Sequence, residues 1–201
     1  MGDNGDVVIG RVVEIMNKKW KIDLQCYDYG YLHINAIMLE DAQRRKTEED
    51  EQRMREYLDI GDLVLCEIKS VSKVDFNVSL HIRHESFGKL GNGLLIPVNS
   101  CLIKRMNKHI IDMKGLEFVF ALNGFIWIST KDKQYDVELY ERIARYRNII
   151  RILDDSMIPV TPKFLFAIYD RFKEVKAKDL ILLENKEKII DAIKTVLFDS
   201  N

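Results

Sequence analysis

The side chains most able to do chemistry are few and scattered in this chain. His81 and His84 stand three apart in a strand-like run, so they face opposite sides and cannot share a metal. Cys26, Cys66 and Cys101 are too widely spaced for a C-x-x-C pair or a disulfide framework. Asp154 and Asp155 are adjacent near a predicted helix end, but no further acids join them in a two-metal nuclease pattern. The loop of Gly88, Gly91 and Gly93 lacks a following Lys-Ser or Lys-Thr, so it is not a P-loop. These residues predict no cofactor, no metal and no catalytic centre.

What remains is cationic and suits phosphate. Lys19, Lys21 and His33 fall at outward positions of alternating segments. Ser79, His81 and Arg83 form a second outward row, opposite Val78, Leu80 and Ile82. Lys104, Arg105, Lys108 and His109 make the densest basic cluster, read either as a phosphate-contacting patch or as a solvated face.

The whole chain is nearly neutral, with a formal net charge of −1 over 201 residues. That argues against bulk attraction for naked nucleic acid. Between Lys69 and Lys114, however, eight basic residues face three acids, a net charge of +5. A basic middle in a neutral chain fits one face meeting RNA while others meet protein. Hydrophobic residues make up 47% and charged residues 31%, an ordinary globular composition. No apolar run approaches the roughly 18 residues of a membrane span. Met1 to Asp6 is short and polar, unlike a signal peptide. An intracellular, soluble protein with free thiols is expected, and no membrane partner.

Two kinds of element must position these groups. Val7 to Gln25 alternates in strand fashion around a turn at Asn17-Lys18-Lys19, with Trp20, Ile22 and Leu24 on the inner face. Short strands follow at 31–34, 63–71 and 78–83, the last two joined by a turn at Lys73 to Asp75. A charged stretch at about 40–57 favours a helical insertion. This pattern predicts an OB-type β barrel over residues 5–85. Residues 86–201 read as a compact α+β domain. Strands at 116–122 and 125–129 flank Asn123-Gly124, which predicts a two-residue turn with positive φ at both positions. Beyond Asp136, a plausible N-cap, Leu139, Ile143, Tyr146, Ile150 and Leu153 recur at helical spacing. Thr161-Pro162 opens another helix, and Ile189, Ile193, Val196 and Leu197 mark a last one. Trp20 and Trp127 share parity with apolar neighbours and belong in cores.

Gly5-Asp6-Val7-Val8-Ile9-Gly10 resembles the G-D-x-V-x-G opening of S1 RNA-binding domains. Gly30-Tyr31-Leu32-His33-Ile34 and Gly61-Asp62-Leu63-Val64 resemble two further S1 segments. Ser79 to Arg83, the Gly88 to Gly93 loop, Leu102 to Arg105 and Asn123 to Ile128 extend the likeness. Together they resemble the S1/KH cap subunits of the RNA exosome, of the ribosomal RNA-processing protein 4 type. The charged insertion with Arg44-Arg45-Lys46 and Asp50-Glu51 is similar too.

The resemblance implies an S1-type barrel followed by a KH-type domain, and a non-catalytic subunit. Its partners would be single-stranded RNA, RNase-PH-like ring subunits and the other caps. It would act in RNA entry, ring stabilisation, 3′–5′ processing and decay, in nucleus, nucleolus and cytoplasm. RNA would meet Lys19, Lys21, His33, His81, Arg83, Lys104, Arg105 and Lys108. Lys21 falls about where many S1 domains carry an aromatic, and a cation there favours phosphate contact over stacking. The family also implies a ring-docking domain ahead of the S1 strands, which here begin at Val7. At the KH G-x-x-G loop this chain has Ala121-Leu122-Asn123-Gly124, so a structural turn is expected there rather than a clamp on RNA. The alternatives are a sister S1/KH cap subunit and a nuclease carrying an S1 module. The second would need clustered carboxylates or a nucleophile–base pair.

Overall fold

The computed structural model describes residues 2–26, 28–37, 53–72, 77–130, 137–182 and 187–193. It divides into two units, Met1–Asn92 with Ala121–Asn123, and Gly93–Phe120 with Gly124–Asn201.

The first unit is a closed barrel. Its strands are β1 (Val7–Met16), β2 (Lys19–Asp23), β3 (Gly30–Ile37), β4 (Leu63–Val71) and β5 (Val78–Ile82). They run in the order β1-β2-β3-β5-β4, and β4 returns to pair with β1. The β3–β5 pairing is parallel and the others given are antiparallel. Closure leaves the barrel strands no free edge. A short strand, β6 (Gly88–Lys89), adds to β4 at Val64 and Leu65. The first unit therefore runs past the junction expected at residue 85.

Alternation supplies the core: Trp20, Ile22, Leu32, Ile34, Val64 and Leu80 point inward and are almost wholly buried. The Trp20 indole N–H would be orphaned there, and it donates to Leu58 O at 2.9 Å. Leu58 follows a one-turn helix, α1 (Met54–Tyr57). Of the predicted insertion, residues 40–52 lie outside those described, as do Lys73 to Asp75. Gly10 allows β1 and β2 to close tightly: a Cβ there would lie 2.3 Å from Ile22 Cγ2 and 2.9 Å from Asp23 O.

In the second unit a four-stranded sheet has the order β7-β10-β9-β8. These strands are β7 (Gly93–Pro97), β8 (Ile110–Met113), β9 (Leu116–Ala121) and β10 (Phe125–Thr130). Two helices follow, α2 (Val137–Asp155) and α3 (Pro162–Arg171). Thr161 Oγ1 accepts the Phe164 N–H at 3.4 Å and caps α3, with proline in its first turn. Asp136, Val196 and Leu197 lie outside the described residues, whereas 187–193 are helical with Ile189 and Ile193 buried. An aromatic cluster joins sheet to helices: Phe118 meets Tyr146 and Phe166 edge-on, and Tyr146 stacks on Tyr169 with centroids 4.2 Å apart. Trp127, like Trp20, is buried.

The β9–β10 connection corrects one expectation. Leu122, Asn123 and Gly124 all lie between the strands, and of these only Gly124 has positive φ, +90°. This is a three-residue hairpin loop closing on glycine, not a two-residue type I′ turn.

A second correction concerns His81. Alternation from Ser79 predicts an outward side chain, yet His81 is only 6% exposed. Its neighbours Leu80 and Ile82 are buried as well, so both faces of β5 are covered at this end. His81 sits opposite Glu67 on β4, its Nε2 3.5 Å from Glu67 Oε2. Burial lowers its pKa, against a raising pull from the Glu67 carboxylate. A covered imidazole cannot offer itself to RNA.

Candidate nucleic-acid interface

The outward face of β2 and β3 gathers cations and rings. Inward Trp20 and Ile22 force Lys19, Lys21 and Asp23 outward, and inward Leu32 and Ile34 do the same for Tyr31, His33 and Asn35. The antiparallel register sets Lys19 opposite His33 and Lys21 opposite Tyr31. Lys19 Nζ lies over the Tyr31 ring, 4.6 Å from its centroid, and Lys21 Nζ lies 4.3 Å from that of Tyr29. Lys21 also pairs with Glu14 of β1 at 3.6 Å. His33 is exposed, and its Nδ1 accepts the Asn35 N–H at 3.2 Å, which leaves Nε2 to carry the proton in the neutral ring.

The two tyrosines were missed by reasoning that saw only a cation at Lys21. Tyr31 was visible as the outward partner of His33 in alternation. Tyr29 lies before β3, and nothing in its local pattern places it beside Lys21. With both rings present, the face can stack bases as well as neutralise phosphates. Arg83 is exposed just beyond β5.

In the second unit, Lys104, Arg105 and Lys108 are exposed on the loop before β8. His109 does not share that exposure. Its Nδ1 lies 2.7 Å from Phe120 O and its Nε2 accepts the Met106 N–H at 3.4 Å. These contacts assign the proton to Nδ1 and make His109 the loop's anchor to β9.

Asn123 is engaged on every side-chain polar atom. Its Oδ1 accepts the Ile9 N–H at 3.1 Å, and its Nδ2 donates to Ile9 O at 2.7 Å and Leu24 O at 2.9 Å. The Leu122 N–H adds a bond to Val7 O. A Cβ on Gly124 would stand 2.7 Å from Val98 O. The Asn123 side chain is a structural fastening, with both of its polar atoms bonded to strand backbone.

Asp154 accepts the Asn99 N–H at 2.8 Å, a structural duty. Cys66 is buried, which pushes its thiol pKa up and keeps it protonated. Among the described residues no three His, Cys, Asp or Glu side chains converge as a metal set. Among the same residues no helix is long and apolar enough to cross a membrane.

Comparison with known proteins places this geometry. The family described as "RRP4, S1 domain" matches residues 1–70, which carry β1 to β3, β4 up to Ser70, and the β2–β3 face. The mouse exosome complex component RRP4 is 31% identical, the alignment covering 94% of this chain and 73% of the mouse protein. The bovine protein of that name is 32% identical over 94% of this chain and 70% of its own length. The chain belongs to the RRP4 family. The exosome complex component RRP4 of Saccharomyces cerevisiae is 38% identical over 67% of this RRP4-family chain and 38% of the yeast protein. The fold is shared with a crystal structure provisionally described as an exosome complex RNA-binding protein. That structure has a TM-score of 0.61 and 18% identity, and the match covers 87% of this chain and 95% of the other. The Lys19–Tyr31 and Lys21–Tyr29 pairs lie inside the residues matched to the RRP4 S1 domain, whereas Arg83 lies beyond them.

Proposed function

We propose that this chain is a non-catalytic RNA-binding cap subunit of an RNA exosome. The observation that carries the reading is the β2–β3 face, where two lysines and two tyrosines interleave on an S1 barrel. Single-stranded RNA lies across this face. Lys19 and Lys21 meet phosphates, the rings of Tyr29 and Tyr31 offer stacking surface, and the His33 Nε2–H donates to a backbone oxygen. No bond in the RNA is made or broken. The chain adds surface to an RNA entry path, and RNase-PH-like ring subunits and other caps are its protein partners. Its contribution is to 3′–5′ processing and decay, in nucleus, nucleolus and cytoplasm.

Fluorescence anisotropy with a labelled single-stranded RNA tests the face. Tyr31→Ala should weaken binding by about 1–3 kcal/mol, the range for loss of one stacking ring, and Tyr31→Phe should retain it. Equal affinity of all three proteins would remove the face from the RNA path. Incubation of the pure chain with labelled RNA and Mg²⁺ or Mn²⁺ should leave the RNA full length. Shortening that disappears in an Asp154→Ala, Asp155→Ala variant would overturn the non-catalytic reading.

A further inference from the structure

A cleft of about 470 Å³ opens in the second unit, lined by none of the residues assigned to RNA above. Its walls are one face of α2, the β8–β9 turn at Lys114, and the end of α3 with Lys173 just beyond. On α2 the lining residues Glu138, Glu141, Arg142 and Arg145 recur at helical spacing, so one stripe of the helix faces the space.

Each carboxylate at the cleft already faces a donor. Glu138 accepts from Arg142, Asp170 accepts from Lys114, and Glu141 Oε1 accepts the Ala177 N–H at 3.0 Å. Donors are left over. Lys173 makes no ion pair among the described residues, while its backbone oxygen accepts from Arg145. Arg145 Nε is buried and unbonded, 3.6 Å from Glu141 Oε1. The Tyr146 hydroxyl is also buried without a partner, and the residue is 1% exposed. That hydroxyl does not line the cleft; its ring stacks behind the lining residue Tyr169, and burial raises its pKa.

Lysines and arginines at the cleft number four, Lys114, Arg142, Arg145 and Lys173, against the carboxylates of Glu138, Glu141 and Asp170. A surplus of donors and one net positive charge call for an acceptor-rich anion. Stacking is not available: one face of the Tyr169 ring meets Tyr146 and Lys114 lies 5.3 Å from its centroid. The space exceeds a carboxylate, and a phosphate with an attached sugar suits it better.

We propose that this cleft is a phosphate-binding subsite centred on Arg145 and Lys173. Two sources share that chemistry, a nucleic-acid backbone and a free nucleotide or inorganic phosphate. The subsite is independent of the β2–β3 face, so either can fail alone.

The test is a set of ¹H–¹⁵N spectra of the full chain at constant ionic strength. Inorganic phosphate, adenosine monophosphate, a short single-stranded RNA and an oligoglutamate peptide are titrated separately. Saturable shifts are expected at residues 114, 138–146 and 169–173. Lys173→Ala should weaken the response about tenfold, as for loss of one charge-assisted contact, and Lys173→Arg should restore it. Shifts with RNA alone assign the site to a backbone; shifts with phosphate or the monophosphate assign it to free ligands; either supports the subsite. No saturable shift with any phosphate, binding of oligoglutamate only, or a wild-type response in Lys173→Ala overturns it.

Discussion

Asn123 and Gly124 carry different burdens although they are adjacent. Gly124 holds φ at +90°, and a Cβ there would press on Val98 O. Gly124→Ala should therefore lower stability by about 1 kcal/mol or more in urea unfolding. Asn123→Ala removes three hydrogen bonds to strand backbone and should cost about 2–3 kcal/mol, with the Ile9 amide and carbonyl losing partners. RNA affinity of the folded fraction should hardly change in either variant. His81 makes a pH prediction. Its folded pKa lies below the ordinary value of 6.5, so the unfolded chain binds the extra proton more readily. The neutral ring's contribution is complete above that value and is lost as pH falls below it. Urea unfolding at pH 7.5 and 5.5 should show a smaller acid loss in His81→Gln than in the parent chain.

At the scale of elements, the barrel and the α2–α3 pair are held by different means. Barrel strands are closed on one another, whereas α3 depends on its cap and on the aromatic cluster. Thr161→Ala removes the hydroxyl that accepts from Phe164 and should cost about 1 kcal/mol, read as a lower melting temperature. The β2–β3 face should be indifferent to that change, since no residue of α3 belongs to the first unit.

The whole chain is nearly neutral, so its RNA affinity must come from local cations. Replacing Lys19, Lys21 and Arg83 together by alanine should reduce affinity evenly across RNA sequences. Three lost phosphate contacts should flatten the slope of log affinity against log salt by about 2, at roughly 0.7 per single-strand contact. An unchanged slope in that variant would place the phosphates elsewhere, and a loss for one sequence only would indicate base readout.

Local patterns determined the barrel and the lysine face. Alternation fixes which residues of β2 point together once Trp20 and Ile22 must be buried, so Lys19 and Lys21 were legible as outward before any contact was known. The apolar face of α2, with Ile143, Tyr146, Ile150 and Leu153, and the Thr161-Pro162 start were legible for the same reason, because periodicity and capping are properties of neighbours in the chain. Only tertiary structure decided the rest. His81 obeys the alternation of its own strand, but the structure covers both faces at that end of β5. Tyr29 precedes its strand, so its position under Lys21 depends on how the loop returns to β2. Asn123 finds Ile9 across 114 positions of sequence, and no spacing rule connects residues that distant. The cleft cations of α2 became conspicuous only when folding brought Arg145 beside Lys173 and left its Nε buried without a hydrogen bond.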